Sequence, residues 1–96
     1  MKIRAMQRGD LRDVMGVYEQ RARSSVGLMR RTREHWRRAR RRRESKGLWF
    51  VAEHRGQIVG YVFGEYRETH GVVRDVIWRP TFDRTDVGHR LLGKVL

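Results

Sequence analysis

Residues 72–96 constrain the fold more than any other stretch of this chain. They open with the β-branched and aromatic run VVRDVIW, which is typical of a strand buried in a sheet. Pro80 cannot donate a backbone hydrogen bond, so pairing on that side is predicted to stop there. A polar turn follows, with Thr85 or Asp86 as the helix N-cap, and then an amphipathic helix with apolar positions Val87, Leu91, Leu92 and Val95. Free N–H groups at such a helix start, together with the helix dipole, favour a bound anion.

The residues before this stretch predict a strand, two helices and two further strands. Strands are predicted at residues 1–6, 48–54 and 57–68, and helical spacing predicts helices that begin at Gly9-Asp10 and span residues 32–46. Gly56 supplies the positive φ of a tight hairpin turn between the last two of these strands. Gly60 and Gly64 are unusual in a strand and predict a bulge or a close backbone approach.

The net charge of +12 is concentrated in one segment. Residues 30–46 contain ten Lys or Arg against two Glu. One interpretation is a solvated basic face of the second helix. The other is a surface for nucleic acid, an acidic substrate or the phosphates of a cofactor.

Composition excludes several classes of protein. The chain has no cysteine, so disulfide and thiolate chemistry are excluded. His54, His70 and His89 match no metal-ligand spacing, and we predict no metal. No apolar run of about 20 residues is present, so we predict a cytoplasmic location and no membrane contact. Nothing closes the last helix, and we interpret residues 1–96 as one small domain cut at its C-terminus.

The motifs resemble the GNAT superfamily of N-acetyltransferases. The hairpin LWFVAEHRGQIVGYV is similar to that family's second and third strands, and MKIRAMQRGDLRDVMGVYEQ is similar to its first strand and helix. The family's acetyl-CoA motif is Gln/Arg-x-x-Gly-x-Gly/Ala after a strand that often ends in Pro. Here its last glycine is Gly88, whereas Asp83 and Asp86 occupy its first and middle positions.

The resemblance implies an α+β domain with a mixed, mainly antiparallel sheet and flanking helices. Residues 1–96 would form its N-terminal part: a strand, two helices, three strands and the start of the pyrophosphate-binding helix. The implied co-substrate is acetyl-CoA. The implied contacts are backbone groups on the fourth strand for the pantetheine and thioester, and the turn and helix start for the pyrophosphate: Val76, Ile77 and Trp78, then Arg84, Thr85, Val87, Gly88 and His89.

Acetyl transfer to an amine needs a base that takes the ammonium proton, directly or through water. Asp75, an acid within an otherwise apolar strand, lies where the family often places such a base, and Glu65 on the adjacent strand is the second candidate. Each also has a structural interpretation, as the partner of a neighbouring arginine. The family's general acid lies on a later helix, so no acid is assigned.

The predicted function is transfer of an acetyl group from acetyl-CoA to an amine, small molecule or protein, by direct attack in a ternary complex. The 96 residues alone are expected to be inactive, and the oligomeric state is left open. One alternative is a GNAT-like module that has lost CoA binding through its two aspartates. The other is a nucleic-acid-binding domain that uses residues 30–46.

Overall fold

The computed structural model describes residues 1–24, 34–38, 47–67 and 70–95. Four strands form one antiparallel sheet in the order β1-β2-β3-β4, comprising β1 (Lys2–Ala5), β2 (Gly47–His54), β3 (Gln57–Arg67) and β4 (His70–Trp78). The helices are α1 (Leu11–Ser24), α2, of which residues 34–38 are described, and α3 (Val87–Leu92). The predicted order of strands and helices is therefore confirmed, and the remainder of the predicted helix 32–46 lies outside the described residues.

The hairpin between β2 and β3 turns at Arg55 and Gly56, which have φ of 52° and 79°. Two successive residues with positive φ match the twist of the flanking strands, as in the favoured two-residue hairpin loops. The predicted role of Gly56 is confirmed, and Arg55 shares the left-handed conformation.

No helix in the described part of the chain is long and apolar enough to cross a membrane.

The sheet buries a separate apolar cluster on each face. On one face α1 and α2 cover an aromatic-rich cluster that includes Tyr18, Trp36, Trp49, Tyr61 and Phe63. On the other face α3 covers a smaller aliphatic cluster that comprises Ala52, Val59, Val62, Val87, Leu91 and Val95. Because β3 is central in the sheet, its alternate residues contribute to both clusters. The fold is therefore three layers, with helices on both faces of the sheet.

The entry into α1 is held by a partly buried ion pair. The Arg4 guanidinium donates to both carboxylate oxygens of Asp10, at 2.7 and 3.0 Å, and to Glu53 at 3.0 Å. Asp10 also accepts the backbone N–H of Gln7 at 2.8 Å. The hydrogen bond with Asp10 raises the pKa of Arg4 above its ordinary value. These bonds fasten the first strand to the first helix.

Replacing Asp10 with Ala is expected to lower the free energy of unfolding by about 1–2 kcal/mol, because it removes charge-assisted bonds to two partly buried donors. Urea denaturation followed by circular dichroism measures the change. Asp13→Ala, which removes an exposed acid from the first turn of α1, is the control and is expected to change stability by less than about 1 kcal/mol. Equal effects of the two substitutions would contradict the role assigned to Asp10.

Candidate active site

The end of β4 and the loop after it, residues 79–86, are tied to the last turns of α1. Arg21 on α1 donates from Nε to the carbonyl of Trp78 at 3.0 Å and from Nη2 to Asp83 Oδ1 at 2.5 Å. The Trp78 indole N–H donates to the same Asp83 oxygen at 2.9 Å. The Arg21 guanidinium also lies 5.6 Å from the centre of the Trp78 ring. We call Arg21, Trp78 and Asp83 the Arg21 cluster.

The Arg21 cluster changes the significance of Asp83, which replaces the first residue of the acetyl-CoA motif. The hydrogen bonds from Arg21 and Trp78 hold the pKa of the Asp83 carboxyl below its ordinary value. Asp83 is therefore ionised at neutral pH, but its negative charge is compensated within the protein. The Asp83 side chain therefore anchors the loop and also places a negative charge at the surface of the loop.

A second arginine fastens the start of the same loop. Arg79 donates from Nε to the carbonyl of Ile58 at 3.1 Å and from Nη1 to Gln20 at 2.8 Å. Its backbone N–H donates to the carbonyl of Val59 at 2.8 Å. Pro80–Phe82 then form a single 3-10 turn, with Pro80 at its start. The loop thus leaves the sheet in a direction fixed by α1 and β3 together.

The helix N-cap lies at one of the two predicted residues, but the side chain of that residue does not cap the helix. Asp86 is the N-cap residue of α3, but its exposed carboxylate makes no capping hydrogen bond. Instead the Thr85 hydroxyl donates to the carbonyl of Phe82 at 2.7 Å and faces the N–H of Val87 at 3.4 Å. The Thr85 hydroxyl proton and the Val87 N–H, both predicted to serve a pyrophosphate, therefore have partners within the loop.

Other predicted donors at the helix start remain directed outward. The first intrahelical bond of α3 runs from the N–H of Arg90 to the carbonyl of Asp86. The N–H groups of Gly88 and His89 lie in the preceding turn, where helix geometry provides no carbonyl partner. The Arg84 side chain is exposed beside them in sequence. Gly88, His89 and Arg84 thus keep the properties that an anion site needs.

Helix α3 lies unusually close to the sheet because glycines face it. A Cβ atom on Gly88 would lie 2.8 Å from the Trp78 ring, and one on Gly64 would lie 2.7 Å from Val95. A Cβ on Gly60 would lie 3.2 Å from Leu91 and 3.1 Å from the Ile77 carbonyl. The close approach predicted at Gly60 and Gly64 is present; its partner is Leu91 of α3 for Gly60 and Val95, in the turn after α3, for Gly64.

The outer edge of β4 presents backbone groups. No described strand pairs with β4 on the side away from β3. The N–H of Arg79 donates to β3. Along an antiparallel pair, every second residue directs its N–H and C=O groups to the partner strand. Because the register is regular from Gly60↔Trp78 to Val62↔Val76, Ile77 also directs its backbone groups to β3. The N–H groups of Val76 and Trp78 point outward. Of the three backbone donors predicted on this strand, the alternation leaves Ile77 committed to the sheet.

A β-bulge at Arg74 controls the direction of the candidate base. Phe63 pairs with Asp75 and Gly64 with Val73, so Arg74 is left without a register partner. Asp75 is half-buried and shares the α1 face of the sheet with its partner Phe63. Glu65 lies on the same face of β3, is 8% exposed, and accepts a hydrogen bond from Arg74 at 3.3 Å. The bulge thus brings the two predicted bases to one face and pairs Glu65 with Arg74.

A groove of about 590 Å³ lies between α1 and α2. Its lining combines apolar side chains with charges of both signs: Leu11, Arg12, Met15, Gly16, Glu19, Trp36 and Arg37. Within residues 1–24, 34–38, 47–67 and 70–95, no three His, Asp or Glu side chains are grouped as metal ligands would be. The described part of this region therefore offers backbone N–H donors, arginine side chains and two strand acids as its chemical groups.

Sequence reasoning missed Arg21 and Arg79. Arg21 follows Val14, Val17 and Tyr18 at helical spacing, so an arginine stands in line with the apolar stripe of α1. That position was a usable signal, because a charged residue in line with an apolar stripe needs a partner across the fold. The partner could not be identified, since Asp83 is distant in sequence.

Comparison with known proteins agrees with this geometry. Residues 12–96 match the family described as the acetyltransferase (GNAT) family. The chain belongs to the GNAT acetyltransferase family. No curated protein sequence matches it significantly.

Solved structures of acetyltransferases share the fold at low sequence identity. The PaiA N-acetyltransferase of Thermoplasma acidophilum, in complex with coenzyme A, is 16% identical with a TM-score of 0.75, over 97% of this chain and 67% of that one. A GNAT acetyltransferase of Staphylococcus aureus is 15% identical with a TM-score of 0.79, over 98% and 62%. A GNAT acetyltransferase of Brucella melitensis, in complex with acetyl-CoA, is 19% identical with a TM-score of 0.76, over 97% and 64%. The chain thus spans about two thirds of the length of these structures.

Proposed function

We propose that this protein transfers an acetyl group from acetyl-CoA to an amine by direct attack in a ternary complex. The observation that carries the proposal is the path from β4 to α3. Outward backbone donors on the strand edge lead through an anchored loop to a helix start with outward N–H groups. Family membership supports acyl transfer as the general chemistry, and the identity of the acceptor is part of the proposal.

The described residues fit acetyl-CoA at three points along this path. The N–H groups of Val76 and Trp78 are suited to the pantetheine and to the thioester carbonyl, which needs a donor that polarises it. Gly88, His89 and Arg84 are suited to the pyrophosphate. Asp86, which lies between Arg84 and Gly88 in sequence, is exposed and makes no capping bond, so its carboxylate is the group that opposes the fit.

Acetyl-CoA supplies an activated acetyl group, and attack by the amine nitrogen forms the amide bond as the carbon–sulfur bond breaks and CoA leaves as its thiol. The chain's part is to take the proton that the ammonium form of the amine loses. We assign this role to Asp75, directly or through water, because it is half-buried on β4, the strand whose outward N–H groups at Val76 and Trp78 are proposed to hold the thioester. Glu65 remains the second candidate on the same face.

We propose that the acceptor approaches from the side of α1 and α2. The groove between these helices contains two arginines, Arg12 and Arg37, with Leu11 and Met15 beside them. Both arginines are exposed, so an amine that also carries an anionic group, or an acidic protein surface, would find opposite charge there. Glu19 in the same groove offers a site for a second cationic group of the acceptor.

One observation favours a different function, a GNAT-like module without CoA binding. The Asp86 carboxylate makes no capping hydrogen bond and lies at the helix start, where it would repel a pyrophosphate dianion.

A nucleic-acid partner is the third possibility. Of the basic segment 30–46 the structure describes Arg37 and Arg38 as exposed, with side chains 60% and 67% accessible.

Calorimetric titration of acetyl-CoA into the longest form of the protein that contains these residues is the test. We expect saturable binding in the micromolar range, about −8 kcal/mol. Asp86→Gly, which restores the family residue, and Asp86→Asn, which removes only the charge, are both expected to bind more tightly than the wild type. The improvement should be similar in the two variants because repulsion is its cause.

The alternatives give different results in the same titration. No heat from the wild type with binding by Asp86→Gly would identify a site that has lost its cofactor. If neither the wild type nor the variants give a heat of binding with acetyl-CoA, the proposal is contradicted. Titration with RNA and DNA at several salt concentrations would follow. Affinity that falls steeply with salt would then support the basic segment as a nucleic-acid surface.

A further inference from the structure

We propose that Arg21 is the positioning residue of the cofactor loop, residues 79–86, and that Asp83 supports acetyl-CoA binding through Arg21. This inference rests on the proposed function and goes further, since it assigns a role to a residue of α1 and reverses the expected effect of a loop carboxylate. The Arg21 cluster connects α1 with the end of β4 and with the loop that leads to α3, through contacts to residues 57 and 62 positions away in sequence.

The contacts of Arg21 need the shape of a guanidinium. Nε and Nη2 project from one plane and reach two acceptors at once, the outward carbonyl of Trp78 and the carboxylate of Asp83. A lysine ammonium carries the same charge on a single atom and cannot reproduce this fork. The Arg21 side chain is 20% exposed and that of Asp83 is 51% exposed, so the bond from Arg21 to the Trp78 carbonyl is better shielded from water than its bond to Asp83. Shape and charge can therefore be separated by experiment.

Loss of the anchor would be transmitted to the helix start. Asp83 Oδ1 accepts from both Arg21 and the Trp78 indole, so the carboxylate fixes the orientation of the Trp78 ring. That ring lies directly under Gly88, at a distance that leaves no room for a Cβ atom. A change in the ring's position would therefore displace the first turn of α3, whose N–H groups are the proposed pyrophosphate donors. Asp83 thus acts on the phosphates through packing.

Two explanations of the role of Asp83 predict opposite changes in acetyl-CoA affinity when its side chain is removed. If Asp83 mainly repels the pyrophosphate, its removal should tighten binding of acetyl-CoA. If it mainly anchors the loop, its removal should weaken binding, although one negative charge near a dianion has gone. The structure favours the second result because the Asp83 charge already has Arg21 as its counter-ion.

The experiment compares two ligands that differ in the nucleotide part of CoA, which contains the pyrophosphate. Acetyl-CoA and acetyl-pantetheine, which lacks it, are titrated into the wild type, Arg21→Lys and Asp83→Ala. We expect acetyl-CoA affinity to fall about tenfold in both variants, or about 1.4 kcal/mol, and acetyl-pantetheine affinity to stay within twofold of wild type. Arg23→Lys, an exposed arginine on the same helix, is the matched control and should bind both ligands as the wild type does.

The outcomes separate this inference from the proposed function. Tighter acetyl-CoA binding by Asp83→Ala, or unchanged binding by Arg21→Lys, would overturn the positioning role while leaving the acetyltransferase proposal intact. Equal losses for both ligands would show that the cluster supports the fold in general, which also overturns it. A wild type that binds neither ligand would contradict the proposed function and, with it, the role of Arg21.

Discussion

Replacing Trp36 with Ala is expected to lower the free energy of unfolding by about 3–5 kcal/mol, the usual cost of deleting a buried tryptophan side chain. Trp36 is 2% exposed although it lies in the most basic segment of the chain. Its ring contacts Tyr18, Trp49 and Tyr61, with centroids 5.7, 6.4 and 6.2 Å apart. The described part of α2 thus has a single deeply buried side chain, and truncating it leaves a large cavity over the sheet.

The measurement is urea denaturation of purified protein, followed by far-ultraviolet circular dichroism. Small domains have total stabilities of about 5–15 kcal/mol, so Trp36→Ala could remove most of the folded population. Trp36→Phe is therefore included, with an expected loss between zero and that of Ala. Arg37→Ala, the exposed neighbour, is the control and should change stability by less than about 0.5 kcal/mol. A loss below 1 kcal/mol for Trp36→Ala would mean that α2 does not pack on the sheet as described.

Replacing Gly64 with Ala is expected to cost about 1–3 kcal/mol of stability, although it adds only one methyl group. The new Cβ would lie 2.7 Å from Val95 Cγ1 and 3.0 Å from the carbonyl of Val72. The carbonyl belongs to the β4 backbone and cannot move without disturbing the strand pairing. The turn after α3, which carries Val95, and the sheet must therefore separate. The aliphatic cluster under α3 then loses part of its packing.

Thermal and urea unfolding of Gly64→Ala, compared with Gly9→Ala, would test this prediction. Nothing lies within 4 Å of a Cβ on Gly9, so the same chemical change should cost little there. Adding Val95→Ala to the Gly64 variant should recover part of the loss, because it removes the side-chain clash but not the one with the carbonyl. Additive effects of the two substitutions would show that Gly64 and Val95 do not meet.

The sheet could be predicted from the sequence because its signals are local. Alternating apolar residues, the Arg55-Gly56 turn and Pro80 each act over a few positions, and the three later strands follow from them. The same holds for α1, whose apolar stripe is regular. The second helix was predicted over residues 32–46, and within its described part, residues 34–38, Trp36 is the buried side chain.

The sequence predicted where the candidate site lies, but not the direction of its backbone donors or the partner of Asp83. Its backbone donors depend on hydrogen-bond alternation, which separates Ile77 from Val76 and Trp78 in a way that side chains do not reveal. The effect of Asp83 depends on Arg21, a contact between residues that are 62 positions apart. Both facts arise from tertiary pairing, and residue types alone made Asp83 look unfavourable for a phosphate.

The bulge at Arg74 also matters for comparing this protein with its relatives. One extra residue shifts the phase of β4, so that Val73 packs under α3 while Asp75 lies on the opposite face of the sheet. A homologous strand without the insertion would carry the counterparts of Val72 and Val73 one position closer to the proline, whereas Asp75 lies between the bulge and Pro80 and keeps its offset. Counting residues back from Pro80 therefore locates Asp75 in such relatives, but the β4 residues before Arg74 should be matched by strand pairing to the β3 residues opposite them, here Gly64 and Glu65.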